Sequence, residues 1–443
     1  MPMSISNSDT APKLGRQGQR AAYLKALLQS SQSQASEELA LAQLRSQAAA
    51  ILAEHTFPSA QEEDWRFTDL KPMLAVAFKA AASLTAVDES LLESVQVPEA
   101  SARLVFVNGQ YSAQLSAVQQ LPAGVVVGNL AALRDGDLKE RFSDRLGRSG
   151  SRHDTFSTLN TVGFHDAAVI WVPRGQVVEQ PIQIVAFSVD GSEPIMASPR
   201  CLVVAEAGSA LTFVEDFYGA HERDHFTNSV TEVWVDDSAA VTHVRLQREG
   251  MGTFHMGRTA ITQGRDSRYT VVPVTVGARI SRHNLEVYQT GPQTDTNLHS
   301  LTAIAQSQLA DTHSLIAMNH PHGTADQLHK TIVDDTAHAV FNGKVWVPKS
   351  AQLTNASQLN RNLLLSRRAR VDTKPELDIV ADNVKCAHGA TVSQLATNEV
   401  FYLQSRGISA EAAQRLLIYG FAMDIIDRIP IPSLRQSLTN TVT

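Results

Sequence analysis

The spacing of apolar residues along this chain changes twice. Over its first hundred residues, "AAYLKALLQSSQSQASEELALAQLRSQAAAILAEHTF" is rich in Ala, Leu, Glu and Gln with little punctuation, which predicts helices. "FPSAQEEDWRFTDLKPM" then breaks the pattern at Pro58 and Pro72, and Trp65 and Phe67 are expected to anchor an irregular segment onto the next domain. From about residue 101 the texture differs. Runs such as "RLVFVNG", "AAVIWVPRG", "PIQIVAFSV", "RCLVVAEAGSALTFVEDF" and "SVTEVWVDDSAAVTHVRLQ" are rich in Val, Ile and aromatics, and Gly, Pro, Asp and Asn punctuate them as they do strands. The texture persists through "RYTVVPVTVGARI", "AVFNGKVWVPKSAQL" and "RVDTKPELDIV" with no long helix between.

Parallel βαβ units need crossover helices, so a Rossmann-type fold is not expected. A single sandwich would be strained at this length. A solenoid of short strands, a β-helix, accommodates it, because each coil needs only its neighbours. No strict repeat period is visible. Past about residue 395 helices return: "NEVFYLQSRG" ends at Gly407, a C′ residue, and "ISAEAAQRLLIYGFAMDIIDRI" follows with Ser409 as N-cap and Glu411 in the first turn. Ala413, Leu416, Leu417, Gly420 and Phe421 form an apolar stripe that Tyr419, Met423 and Ile426 widen. It either packs on its own domain or docks a partner. Pro430 and Pro432 are expected to stop the helix. The division expected is therefore a helical region 1–100, a mostly β core 101–392 and a helical region 393–443.

Composition narrows the function. The 443 residues, 43% hydrophobic and 19% charged, suit a soluble globular protein with a sizeable core. A net charge of −7 argues against general nucleic-acid binding, and the densest basic cluster, Arg367, Arg368 and Arg370, is read as a solvated strand end. Two cysteines rule out a disulfide framework and fit a reducing compartment. No leader core is visible in "MPMSISNSDTAPKLGRQGQR" and no apolar run approaches the ~18 residues of a membrane span, so a cytoplasmic protein is expected.

Candidate chemistry centres on "NVKCAHGAT". A strand's period of two puts Cys386 and His388 on one face and Ala387 on the other. Two such ligands suit a thiophilic metal, but a closed site needs about four, and the only other cysteine is Cys201, expected to be a small buried hydrophobe. The motif is half a site at best; packing as ordinary wall is the alternative. His313, His320, His322, His329 and His338, with Asp326, Asp334 and Asp335, are possible zinc, iron or manganese ligands, yet no pair has the H-E-x-x-H spacing; polar rungs or interface residues are expected instead. G-x-S-x-G and G-x-x-x-x-G-K-[ST] are absent, so neither a serine hydrolase nor an ATPase is expected. "GMGTFHMG" at 250–257 is read as a turn, and the pairs Asp236–Asp237 and Asp334–Asp335 as turn residues rather than the paired carboxylates of a polysaccharide-cleaving enzyme. No complete catalytic set emerges.

The run "LTNASQLNRNLLLSRRARVDTKPELDIVADNVKCAHGATV", followed by "FYLQSRGIS", closely resembles the core of the SufB/SufD family, scaffold proteins of the Suf system for iron–sulfur cluster assembly. "EEDWRFTDLKP", "TFSTLNTVGFHDAAVIWVPRG" and "SVTEVWVDDSAAVTHVRLQ" resemble it upstream, so the likeness spans most of the chain. Where the SufB branch has a sulfur-accepting cysteine, "QLNRNLLLS" carries Leu359, and the chain looks like the SufD branch. The resemblance implies a right-handed parallel β-helix with helical ends. It implies a non-catalytic subunit in an assembly of one SufB, one SufD and two SufC ATPases, paired with SufB through the C-terminal ends of the two β-helices. It further implies that the C-terminal helices, with Tyr402, Leu416, Leu417 and Phe421, hold SufC. His388 would lie at the SufB interface as a ligand of a transient cluster shared with SufB, beside Cys386, whose role the resemblance leaves open. The pseudo-symmetry of such a pair also allows a homodimer of the isolated chain. The competing expectations are a β-helix carbohydrate-active enzyme, lyase or hydrolase, and an inert structural homodimer.

Overall fold

The computed structural model of the chain describes residues 15–34, 39–81, 87, 89–119, 121–133, 138–149, 154–219 and 223–442. The expectation of no leader falls largely on residues 1–14, which lie outside them. Mostly β, the chain winds a parallel solenoid of about seven turns, with helices towards both termini. Successive strands alternate between two sheets. The first runs from Ala168–Val172 through Arg200–Ala205, His225–Val235, Thr253–Gln263, Ile280–Gln289, Leu309–Ala317 and His338–Val347 to Arg370–Ile379. The second runs from Ile182–Phe187 through Ala210–Gly219, Ala240–Glu249, Arg268–Thr275, Asp295–Ile304, Thr324–Val333 and Asn355–Leu364 to Lys385–Gln394.

Register runs unbroken along the second sheet, Ala210 to Ala240, Arg268, Asp295, Thr324, Asn355 and Lys385. Two residues before each of the first six of these, the chain turns through a left-handed conformation: Gly208, Ser238, Asp266, Gln293, His322 and Leu353 have φ between 56° and 71°. The repeat is thus one of backbone conformation. Most of these residues gain nothing from a positive φ, which non-glycine side chains disfavour, so the ladders on either side hold the corners. Asp236, Asp237, Asp334 and Asp335 lie at such corners, as expected. In "GMGTFHMG" the turn covers only 250–252, and Thr253 already begins a strand.

Between the sheets lies the main core, with Val203, Val233, Ile261, Val287, Ile316, Val345 and Cys201 among its buried residues. The same interior holds ionisable groups. Glu215 meets His243 Nε2 at 3.0 Å, and the other nitrogen of that ring lies 2.9 Å from the Tyr269 hydroxyl. Glu249 meets His255 Nδ1 at 2.6 Å while Arg245 donates to His255 Nε2 at 2.6 Å. Burial pushes both imidazoles below their ordinary range, against the pull of the glutamates.

The two ends of the solenoid differ. At the N-terminal end the strand Ala102–Val107 is covered by antiparallel partners, Gln110–Tyr111 and Ala117–Val118, and Leu92, Val95 and Leu115 pack over it. At the C-terminal end, among the described residues, Arg370–Ile379 and Lys385–Gln394 each pair on one edge only. The C-terminal helices do not close that end. Helix Ala410–Ile426 runs back along the outer face of the second sheet, where Ala422, Ile425 and Ile426 join Val244, Val272, Leu301 and Ile332 in one buried cluster. N-terminal residues Leu24, Leu52, Phe57, Met73 and Phe78 pack likewise on the outer face of the first sheet, against Phe226, Phe254 and Met256. Trp65 is an anchor there, stacked on Phe156 at 5.4 Å with the Arg282 guanidinium 3.9 Å above its ring. Two short helices within the β region are not evident in the sequence pattern: Leu138–Ser143, and Thr155–Gly163, capped by Asp154, which accepts from the backbone N–H groups of Phe156 and Ser157.

Candidate functional site

The bare end of the solenoid places Cys386 and His388 at the last coil of the second sheet. In register they continue the columns of Ala356 and Gln358, both buried between the sheets, so both side chains belong to the inward face, as the period of two predicts. With no further coil over them, their surroundings diverge. Cys386 is half-buried and packs with Leu377, Ile379 and Val384 against the end of the main core. Burial pushes its thiol up from its ordinary value, outweighing a hydrogen bond from the Ala356 backbone. His388 is exposed, and among the described residues it has no hydrogen-bond or ion-pair partner. Leu359 lies on the opposite, outer face, over Gly389.

No group of three or more His, Cys, Asp or Glu side chains able to hold a metal is present among the described residues. The histidines at 313–338 are not brought together. His329 is buried inside the solenoid, stacked on Phe341 at 4.7 Å. His313 and His338 stand on the outer face of the first sheet, on Asp311 at 3.0 Å and Asp372 at 2.7 Å. His320 and His322 occupy a corner. Three thus sit on strands and two at a corner.

A groove of about 920 Å³ on that outer face is lined by Trp65, Tyr288 and Trp346 together with Glu286, Glu376 and Asp378. Aromatics beside carboxylates are what glycan cleavage needs, but Glu286, Glu376 and Asp378 are all committed to cations. Glu286 meets Arg258 at 2.7 Å, while Lys344 meets Glu376 at 2.8 Å and Asp378 at 3.0 Å. The Lys344 ammonium holds Glu376 below its usual range, the opposite of what a general acid requires.

The helices beyond the last strand present the other candidate surface. Ser409 caps Ala410–Ile426 by accepting from Ala412 N at 3.2 Å, and Gly407 has φ 86°, both as expected. The apolar stripe splits. Ala413 and Ile426 are buried and Leu417 is half-buried. Phe421 turns towards the solenoid, where Lys330 Nζ sits 4.4 Å from its ring, donates to its carbonyl at 2.9 Å and pairs with Asp424. Leu416 stays 48% exposed and Tyr419 37%, beside Phe401 at 70% and Tyr402 at 57% on the preceding helix, Thr397–Ser405. Helix Ala410–Ile426 ends before the prolines, and a further helix, Pro432–Val442, follows within the expected helical region.

Comparison with known proteins decides the family. Residues 187–421 match the SUF system FeS cluster assembly SufBD core domain, and residues 19–184 match the SufBD protein N-terminal region. The chain belongs to the SufBD family. It is 44% identical over 433 residues to an iron–sulfur cluster assembly SufBD family protein of Synechocystis, covering 95% of this chain and 94% of that one. It is 37% identical over 415 residues to a chloroplastic protein of Arabidopsis thaliana, covering 92% and 86%. The iron–sulfur cluster assembly protein SufD of Escherichia coli is 29% identical over 383 residues, covering 86% of this chain and 87% of its own. SufBD membership gives the solenoid a part in Suf cluster assembly. No described helix is long and apolar enough to cross a membrane.

Proposed function

We propose that this SufBD chain takes the SufD part. It is a non-catalytic, cytoplasmic scaffold subunit whose open solenoid end pairs with a SufB-type partner and whose C-terminal helices dock a SufC-type ATPase. The observation that carries this is the bare end itself, two sheet edges and an uncovered core section with the inward-facing pair Cys386–His388 on them. Solenoids close their ends when they work alone, and unpaired edges recruit strands. A second solenoid stacked there would complete both sheets and enclose His388 against ligands from the other chain. A cluster is cargo in this scheme, and a site divided between two chains can open to release it. His388 is the better ligand, since its ring is exposed and uncommitted, whereas Cys386 is set into the wall with its thiol pushed up. The three regions, 1–100, 101–392 and 393–443, then act as outer brace, scaffold and ATPase dock.

Anaerobic co-expression with SufB- and SufC-type partners, wild type beside His388→Ala, tests it. Both versions should purify as the same complex, with the visible absorption of a cluster lost in the variant. An intact complex with unchanged absorption would remove His388 from the cluster site, and failure of the wild type to retain either partner would remove the scaffold role.

A further inference from the structure

Behind His388 a column of side-chain amides runs into the solenoid. Gln327 and Gln358 are register partners on successive coils, and His388 is the next in the same column. Gln327 donates through Nε2 to Ser314 Oγ at 2.7 Å, and Gln358 donates through Nε2 to Gln327 Oε1 at 2.9 Å. Gln327 thus gives a hydrogen across the interior to the facing sheet and its oxygen to the coil after, and Gln358 gives a hydrogen to the coil before. At the end of the column Gln358 Oε1 is buried and, among the described residues, accepts no hydrogen bond; Gln358 is only 1% exposed. A buried acceptor left unmade costs about 1–3 kcal/mol, so a partner is expected. The amide has little freedom to seek one elsewhere. It lies over Gly343, where a Cβ would come within 2.5 Å of Gln358 Nε2.

We propose that Gln358 is a positioning residue for His388: the exposed ring, unbonded among the described residues, turns inward along its column so that the orphaned carboxamide oxygen of Gln358 accepts its N–H, which fixes which ring nitrogen keeps its lone pair for iron. A neutral imidazole has one donor and one acceptor nitrogen, and the hydrogen bond made by one decides the tautomer and aims the other. Adjacent strands lie about 4.8 Å apart, which brings same-face side chains of neighbouring coils into contact. The amide column strengthens the acceptor, because each bond polarises the next. This rests on the assignment of His388 to the cluster site.

The test is nitrogen NMR on the full chain labelled with 15N-histidine, in mildly alkaline buffer, the His388 signals being those absent from His388→Ala. The wild type should show a single neutral tautomer with its N–H bonded. Gln358→Met, similar in shape but without the acceptor, should give averaged tautomers. In the co-purified complex, iron and sulfide retention should fall by about 10-fold or more, as loss of a partner that orients a ligand does. Averaged tautomers already in the wild type would overturn the positioning role without recourse to any variant, as would an unchanged tautomer in Gln358→Met. A tautomer that averages in the variant while iron and sulfide stay unchanged would support the hydrogen bond and overturn the cluster assignment of His388 instead.

Discussion

Cys386 and His388 show how much a strand's period tells and where it stops. The shared face was legible from two positions in the sequence. That one side chain is wall and the other free was not, because it depends on which core residues end beneath them. Cys386→Ala should therefore leave most of the cluster absorption in place and lower stability by no more than about 1 kcal/mol, in contrast to His388→Ala. Retention of partners with complete loss of absorption in Cys386→Ala would make the thiol a ligand. Buried histidines of the interior set the pH response. His329, stacked on Phe341 and beside Ser300, is pushed down to about 3 by burial alone. In the unfolded chain it takes up a proton near 6.5, so its neutral folded form carries no penalty above that pH. Below it, stability falls by up to about 1.4 kcal/mol per pH unit until the folded value is reached. Thermal melts between pH 7 and 5 should show a shallower decline for His329→Gln than for wild type; identical slopes would mean the imidazole is protonated in place.

At the scale of elements, the helix Ala410–Ile426 was legible in its caps and only half legible in its stripe. Ser409 and Gly407 act locally, through hydrogen bonds and φ that the residue type dictates. Which part of a broad apolar stripe meets the solenoid depends on residues of the second sheet's outer face, Val244, Val272, Leu301 and Ile332, far away in sequence. Two substitutions on the two faces should separate packing from docking. Ile425→Ala, at a fully buried side chain, should cost about 2–4 kcal/mol in urea unfolding. Leu416→Ser with Tyr419→Ser should change stability by no more than about 0.5 kcal/mol yet abolish co-purification of the SufC-type ATPase. Undiminished retention in that double variant would place the dock elsewhere. Helices also form where the pattern does not mark them, for identifiable reasons. Thr155–Gly163 is too short for periodicity to declare itself and depends on its Asp154 cap. Pro432 reads as a stop for the helix before it, yet it also opens the next one, since proline at the first helical position is favoured.

For the whole molecule, the solenoid followed from strand texture without crossover helices, while its repeat could not be seen. Gly208, Ser238, Asp266, Gln293, His322 and Leu353 share a backbone angle and no chemistry, so no residue type recurs to mark the coil. The same long-range register leaves one end covered and the other bare, and a bare end has consequences for the chain on its own. Val392 is on the inward face of the last strand, 48% exposed, where another coil would cover it. Without a SufB-type partner, a second copy of this chain offers the nearest equivalent surface, two edges and a core section related by a two-fold axis. The isolated protein should therefore sediment as a dimer at micromolar concentration. Val392→Lys puts an ammonium into the centre of that contact and should shift the population to monomer, with the melting temperature of the monomer nearly unchanged because the site is already half open to solvent. The same variant should lose its SufB-type partner. If it stayed dimeric and kept that partner, association would run through another face, and the bare end would owe its polarity and its uncommitted histidine to something other than a stacked solenoid.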